Sequence, residues 1–401
     1  MKCFGGTMKK SVGVMAAIAC LSVILFNSCG EEKKVTLKMW ESDGPEREFM
    51  EWAAGEYKKT HSNIDIVYEP VASPDARAKI ELDGPAGVGA DIFVAPHDHV
   101  GALVAGGHVL PVSDTSFINN FVDASRVAGT YEGKLYGYPL AIETYALFYN
   151  KDIIQNPPKT WDEVIEFAKT WNDKSQNKYA LVWNVGNAYY SYMFMSAYGT
   201  SLFGPNGDDK TKHGINAPET VKGLQYFQSL RSKILDVPSA DLTDDFCNSA
   251  FVEGTAPLVI TGPWKISDFN TVVKNYGITT LPGFGDGKPA TSFSGVRIAF
   301  VSAYTKHQKE AEDFAQFLMS KECLEKRFEL TNQIPPRNDI KITDPLSNGI
   351  LEQAAYAFPM PTISQMGTYW SAMGSAYGGI WDGDDVVQDL DAAAAAMDAA
   401  K

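Results

Sequence analysis

The sequence predicts an α/β protein of more than one domain with largely parallel sheets, and three observations predict it. The chain has 401 residues, which by size alone is two or three domains' worth. Its composition, 45% hydrophobic, 12% aromatic and 21% charged, is that of a globular protein rather than a disordered or fibrous one. From Val35 onward, strand-like period-2 segments alternate with segments of helical spacing, the pattern of strands joined by crossover helices. A formal charge of −14 argues against nucleic acid as a partner, because phosphate binding is driven by clustered Lys and Arg.

Residues 1–28 read as a secretory signal outside the fold. Lys9 and Lys10 precede an apolar run from Val12 to Phe26, which is too short for a membrane span of roughly 20 residues. Met8 directly before the lysines is an alternative start. Asn27-Ser28-Cys29-Gly30 resembles a bacterial lipobox, with Cys29 as the acylated first residue of the mature protein; Phe26 is larger than the residue usual there. Cys20 is a rival that would cut the apolar run short, and a plain cleaved signal is the alternative to both. Loss of residues 1–28 removes three lysines and no acid, so the mature chain is more acidic still. Beyond Cys29 only Cys247 and Cys323 remain, which do not make a disulfide framework and read as buried thiols.

The elements follow in order. Val35, Leu37 and Met39 alternate with polar residues and lead into Trp40, a strand. Glu46 to Lys59 sets Phe49, Trp52, Ala53 and Tyr57 at helical spacing; Ile64–Tyr68 is strand-like, and Asp91–Ala95 is a short apolar strand entering the turn Pro96-His97-Asp98. Gly137–Glu143 and Ala146–Tyr149 are extended. At Pro157–Glu163 a helix starts, with Thr160 as N-cap and Glu163 completing a capping box. A second body begins here. Lys306–Phe328 is an amphipathic helix or pair carrying Phe314, Phe317 and Leu318 on one side, and Asp385–Ala400 is an Ala-rich terminal helix. In parallel α/β sheets, ligands collect beyond the carboxyl ends of the strands.

Enzyme motifs are absent: there is no Gly-x-Ser-x-Gly elbow, no phosphate-cradling loop and no His-Glu-x-x-His. His97-Asp98-His99 is a weak metal pattern, and neither a metal nor a cofactor is expected. A glycosidase carboxylate pair is not excluded by counting acids, because their separation is invisible in sequence. The positive signal is aromatic residues set among small polar, Gly- or Pro-bearing positions: Asn187–Tyr192, Thr261-Gly262-Pro263-Trp264 and Gln365–Trp370. A pyranose stacks its C–H face on an aromatic ring while its hydroxyls donate to carboxylates, so rings with acids are the requirement of a sugar site. The bland alternative is that each ring is core filling.

At these residues the chain resembles the bacterial extracellular solute-binding proteins of the sugar-binding class, most closely their maltose/maltodextrin-binding branch. The resemblance runs over nearly all of residues 35–390 and is strongest from Tyr131 to Glu163, with Gly133-Lys134-Leu135, Tyr138-Pro139, Glu143, Tyr149-Asn150-Lys151-Asp152 and Pro157–Trp161. Collinear with these are Asp91-Ile92, His97-Asp98, Phe251–Trp264, Tyr276-Gly277, Leu281-Pro282, Gln365-Met366 and Trp370. The resemblance implies two α/β lobes joined by hinge crossings with the sugar between them. The N-terminal lobe would take 30–141 and 299–343, the C-terminal lobe 145–290 and 350–401, with Cys247 and Cys323 on different lobes. It implies hydroxyl-binding carboxylates at Asp98 and Glu143, stacking rings at Tyr189, Trp264 and Trp370, and a further acid near Asp43. Departures fall at Ala95 where the family carries a stacking Trp, His99 in place of Arg, Asn187 in place of Glu, and Gly374 in place of Arg; His99 and Asn187 remain in the binding set.

The expected function is therefore a sugar receptor and not an enzyme: a substrate-binding lipoprotein that delivers maltose or maltodextrin to the membrane permease subunits of an ATP-binding-cassette importer. It would be monomeric, exported to the periplasm or cell surface and anchored to the membrane through Cys29. The departures make a different oligosaccharide the first alternative, and a secreted glycoside hydrolase the second.

Overall fold

The structure, a computed structural model, describes residues 33–400. The expected signal segment and the expected lipidation site Cys29 lie outside the described residues. Strands β1 (Val35–Glu41), β2 (Ile64–Pro70) and β3 (Ile92–Pro96) pair in parallel with β1 central. Between them α1 (Pro45–Thr60) and α2 (Ala76–Asp83) supply the crossovers, and α1 buries Phe49, Met50, Ala53 and Tyr57 at the expected spacing. After β3 the chain makes a single 3₁₀ turn at His97–His99, then α3 (Val100–Ala105), α4 (Asp123–Ala128) and a two-stranded ribbon, β4 (Thr130–Tyr131) with β5 (Lys134–Leu135).

Strand β6 (Gly137–Thr144) leaves this body and, after Tyr145 alone, becomes β7 (Ala146–Asn150) of a second sheet. There follow α5 (Trp161–Trp171), β8 (Leu181–Val182), α6 (Ala188–Met195), α7 (Pro218–Ile234), α8 (Asp244–Val252), β9 (Leu258–Thr261), α9 (Ile266–Val272) and β10 (Tyr276–Thr279). The long β11 (Phe293–Val301) returns to the first sheet, where α10 (Gln308–Leu318) and α11 (Lys321–Thr331) cover it. Last come α12 (Pro345–Ala354), the short β12 (Phe358–Pro359), α13 (Met366–Asp382) and α14 (Val386–Ala399).

The expectation of largely parallel sheets holds for the six-stranded sheet, where three of its five pairings are parallel, and needs correction for the four-stranded one. The six-stranded sheet runs β12-β11-β3-β1-β2 with β6 also on β11, and β11 is antiparallel to both β3 and β6. The reason is the crossing itself: β6 carries the chain out of the body and β11 brings it back, so the two must oppose. In the four-stranded sheet, β10-β7-β9-β8, only β8–β9 is parallel. The fold is two α/β bodies with mixed sheets.

Each body has its own core. Two apolar clusters cover the two faces of the first sheet, one with Leu37, Phe49, Phe314 and Leu324, the other with Trp40, Phe93, Val100 and Phe300. The second core is dense in rings. Trp161, Trp183 and Trp381 are fully buried; Trp183 meets Trp381 edge-on at 5.4 Å and Trp161 meets Phe194 at 5.1 Å. Such pairs add about 0.5–1.5 kcal/mol each beyond area burial. Part of the aromatic excess is therefore core, including Tyr192 and Tyr369 from the segments singled out above. Thr160 caps α5 as expected, accepting from the Glu163 N–H at 3.2 Å, but the Glu163 carboxylate reaches back to Lys159 N–H at 2.6 Å, one residue short of the cap. Cys247 on α8 and Cys323 on α11 are buried free thiols in different clusters, and burial pushes Cys323 up to about 11.

Candidate functional site

A cavity of about 670 Å³ opens between the carboxyl end of β3, the β6/β11 pair, the start of α6 and one side of α13. Asp98, His99, Glu143, Asn187, Tyr189, Trp264 and Trp370, seven of the eight expected binding residues, line it together. Asp43 does not. Gly44, at φ 83°, turns the chain into α1, and the exposed Asp43 carboxylate is taken by Arg47 at 2.8 Å and by the Gly44 N–H at 2.8 Å.

Each residue is delivered by local structure. Asp98 sits on the turn that ends β3, buried, with Oδ2 accepting from Trp370 Nε1–H at 2.8 Å and Oδ1 buried without a partner. His97 holds that turn: its Nδ1 accepts from Val296 N–H at 3.1 Å and its Nε2–H donates to Met360 C=O at 2.9 Å. Both nitrogens are thereby engaged in the neutral ring, leaving none for a metal. Among the described residues, no group of three His, Cys, Asp or Glu side chains is placed to hold a metal ion. Burial holds His97 and His99 below the usual histidine range, against the pull of Asp98. Ala95 is wholly buried in the core behind β3 and is absent from the lining, whereas Pro96 faces the cavity.

Glu143 projects from β6 and accepts from Arg297 Nε–H at 2.9 Å. Asn187 is the N-cap of α6: its Oδ1 accepts from Tyr189 N–H at 2.9 Å, which leaves the amide NH₂ as the group able to donate into the cavity. Tyr189 packs beside Tyr145, Phe293 and Trp264, and burial with the nearby Glu143 charge raises its hydroxyl well above the ordinary range, so it remains a donor. At Gly262-Pro263-Trp264 the indole folds back over Gly262, where a Cβ would stand 2.2 Å from the ring; only glycine allows that approach. On α13 the cavity-facing stripe is Gly367, Trp370, Ser371 and Gly374, so the single large group presented is an indole flanked by small residues.

Residues not expected from sequence complete the lining: Pro74 from the turn before α2, Arg77 from its first turn, Asp244, Arg297 and Met360 among them, with Tyr190 from the aromatic segment Asn187–Tyr192. The arrangement offers rings from the second body with carboxylates from both, Asp98 and Glu143 from the first and Asp244 from the second, and Asp98 Oδ1 and His99 Nδ1 stand buried without a partner.

A family model described as bacterial extracellular solute-binding protein matches residues 52–353. The chain belongs to that family. A galactooligosaccharide-binding protein of Bacillus subtilis (strain 168) is 31% identical, covering 96% of this chain and 96% of its own length. A maltooligosaccharide ABC transporter solute-binding lipoprotein of Streptococcus pneumoniae (strain ATCC BAA-255 / R6) is 26% identical over 90% of each. Among solved structures, the crystal structure of a cyclo/maltodextrin-binding protein complexed with maltotetraose is 37% identical, covers 92% of this chain and 98% of its own, and matches with a TM-score of 0.77. The sugar-binding branch indicated by the sequence is thus the one to which the chain is similar, and these relatives are binding proteins, not enzymes.

Proposed function

We propose that this protein is the substrate-binding component of an ATP-binding-cassette sugar importer, that it binds maltose and maltodextrins, and that it releases them unchanged. The observation that carries the reading is the meeting, in one cavity, of Tyr189, Trp264 and Trp370 with Asp98 and Glu143, rings and acids from two different bodies. A ligand contacting both bodies binds their closed arrangement more tightly than an open one, and that difference is what drives closure. The lobes of the reading are 30–141 with 299–343 and 145–290 with 350–401, swinging about the β6–β7 and β11 crossings. Closed protein, a monomer anchored by a lipid on Cys29 outside the cytoplasm, would dock on the permease subunits. The streptococcal lipoprotein relative supports the anchor and the transporter role. A second reading keeps the receptor and changes the cargo: the Bacillus relative binds galactooligosaccharide by name, and His99, Asn187 and Gly374 alter the lining where the family carries other residues.

Titration of residues 30–401 with maltotriose, galactotriose, cellobiose and lactose, followed by intrinsic tryptophan fluorescence, tests both, because Trp264 and Trp370 line the cavity. Saturable change with maltotriose alone is the expected outcome. A response only to galactotriose would keep the receptor and replace the ligand, and shortened products after long incubation would contradict the non-enzymatic reading.

A further inference from the structure

Glu143 and Arg297 stand as diagonal neighbours on one face of the β6/β11 pair, Glu143 being opposite Gly295. Arg297 carries a full positive charge at a position where its side chain is only 11% exposed. Its Nε–H bonds Glu143 Oε1 at 2.9 Å, one Nη donates to Ser42 Oγ at 3.3 Å, and that same nitrogen lies 3.8 Å from Glu41 Oε1. Glu41 is in turn held by Arg327 at 3.0 Å, Arg327 by Gln333 Oε1 at 3.0 Å, and Gln333 donates to Glu46 Oε1 at 2.7 Å. The chain Glu143–Arg297–Glu41–Arg327–Gln333–Glu46 thus runs from the cavity wall into the packing between β1, α1 and α11. Only its first two members line the cavity.

We infer that Arg297 is a positioning residue for the sugar site: it fixes the direction of the Glu143 carboxylate before ligand arrives. The inference rests on the sugar-receptor reading. A free glutamate on a strand edge samples several rotamers, and ordering it costs entropy that must come out of the binding free energy. Here that ordering is done in advance. Oε1 is committed to Arg297, while Oε2 makes no hydrogen bond to any described residue, so it is the acceptor left for a sugar hydroxyl. The remainder of the network restrains the Arg297 guanidinium, since its Nη1 donates to Ser42 and is drawn to Glu41, while Nη2 makes no hydrogen bond to any described residue. A bidentate fork is needed for this, and lysine supplies the charge without the second donor direction.

The test is a double-mutant cycle on sugar affinity with R297M, E143Q and the pair, together with R297K and thermal unfolding of each. Wild type is first shown to bind the responsive sugar of the panel above. R297M then weakens that binding by about tenfold or more, as loss of a charge-assisted contact does, and R297K recovers part of it. In the E143Q background R297M adds less than about twofold, because Arg297 acts through Glu143. Undiminished affinity in R297M overturns the inference, and so does a full cost retained in E143Q, which would mean direct contact or a purely structural role. If R297M fails to fold, R297K compared with E143Q/R297K closes the same cycle and separates the same two outcomes. Wild type silent toward every sugar would instead remove the receptor reading, and this inference with it.

Discussion

His97 shows how one side chain ties the site to stability. Its Nδ1 accepts from the Val296 N–H, which only a neutral ring can do, and a charged ring would set an N–H against an N–H. Burial lowers its folded pKa below the free value near 6.5, so the unfolded chain takes up the proton first and stability falls as pH drops through that range. Partly buried His99 acts in the same direction, while Glu46, raised by burial, acts in the opposite one. The unfolding free energy from urea titrations should therefore fall further between pH 7.5 and 5.5 for wild type than for His97→Gln, by up to about 1.4 kcal/mol for each pH unit below the free histidine value. Parallel losses would remove His97 as the cause. This role is not legible in the sequence, where His97 and His99 flanking Asp98 suggest at most a weak metal pattern. Asp98 and Glu143 are legible only through the family resemblance, and Tyr189, Trp264 and Trp370 through their small polar, Gly- or Pro-bearing segments, a signal that also picks up the core residues Tyr192 and Tyr369. Arg297 is not, since it lies inside the apolar strand Phe293–Val301 and meets its partner 154 residues away in sequence only when β6 and β11 pair.

At the scale of elements, the helix pair α6/α7 is packed backbone to backbone at Gly223. A Cβ there would stand 1.9 Å from the Phe194 carbonyl oxygen, so the helices must separate to admit it. Gly223→Ala is expected to destabilise by about 1–3 kcal/mol, as overpacking does. Gly55, in the middle of α1, is the contrast, because a Cβ added there would meet nothing within 4 Å. Gly55→Ala should stabilise by about 0.5–1 kcal/mol by raising helix propensity. Denaturant midpoints of the two variants decide it, and equal signs would refute the packing argument. Helix existence is readable from periodicity, as at Phe49, Ala53 and Tyr57 in α1. Strand direction is not, because β11 and β7 take their sense from the crossings between bodies, a property of the whole path that no local window contains.

Across the whole molecule, one contact between the bodies lies inside the cavity: the hydrogen bond from Trp370 Nε1 to Asp98 Oδ2, which joins α13 of the second body to the turn after β3 of the first. Asp98 is buried and its other oxygen is unpartnered, so removal of the indole N–H would leave a carboxylate dehydrated and without a donor. On the receptor reading, parting the bodies would relieve that cost by wetting Asp98. Trp370→Phe keeps an aromatic face and deletes only the donor and part of the ring. Without sugar, this variant should therefore populate the open arrangement more than wild type, giving a larger radius of gyration in small-angle scattering. With saturating sugar, whose hydroxyls offer Asp98 new donors, the two should converge. Identical sugar-free scattering would mean that the bond is too weak to bias closure. A positive result has a consequence for affinity: whatever fraction of sugar-free protein the bond holds closed is a fraction that the ligand need not shift, so the ratio of the two closed populations sets one factor in the variant's affinity, beside any change in direct contact between the ring and the sugar.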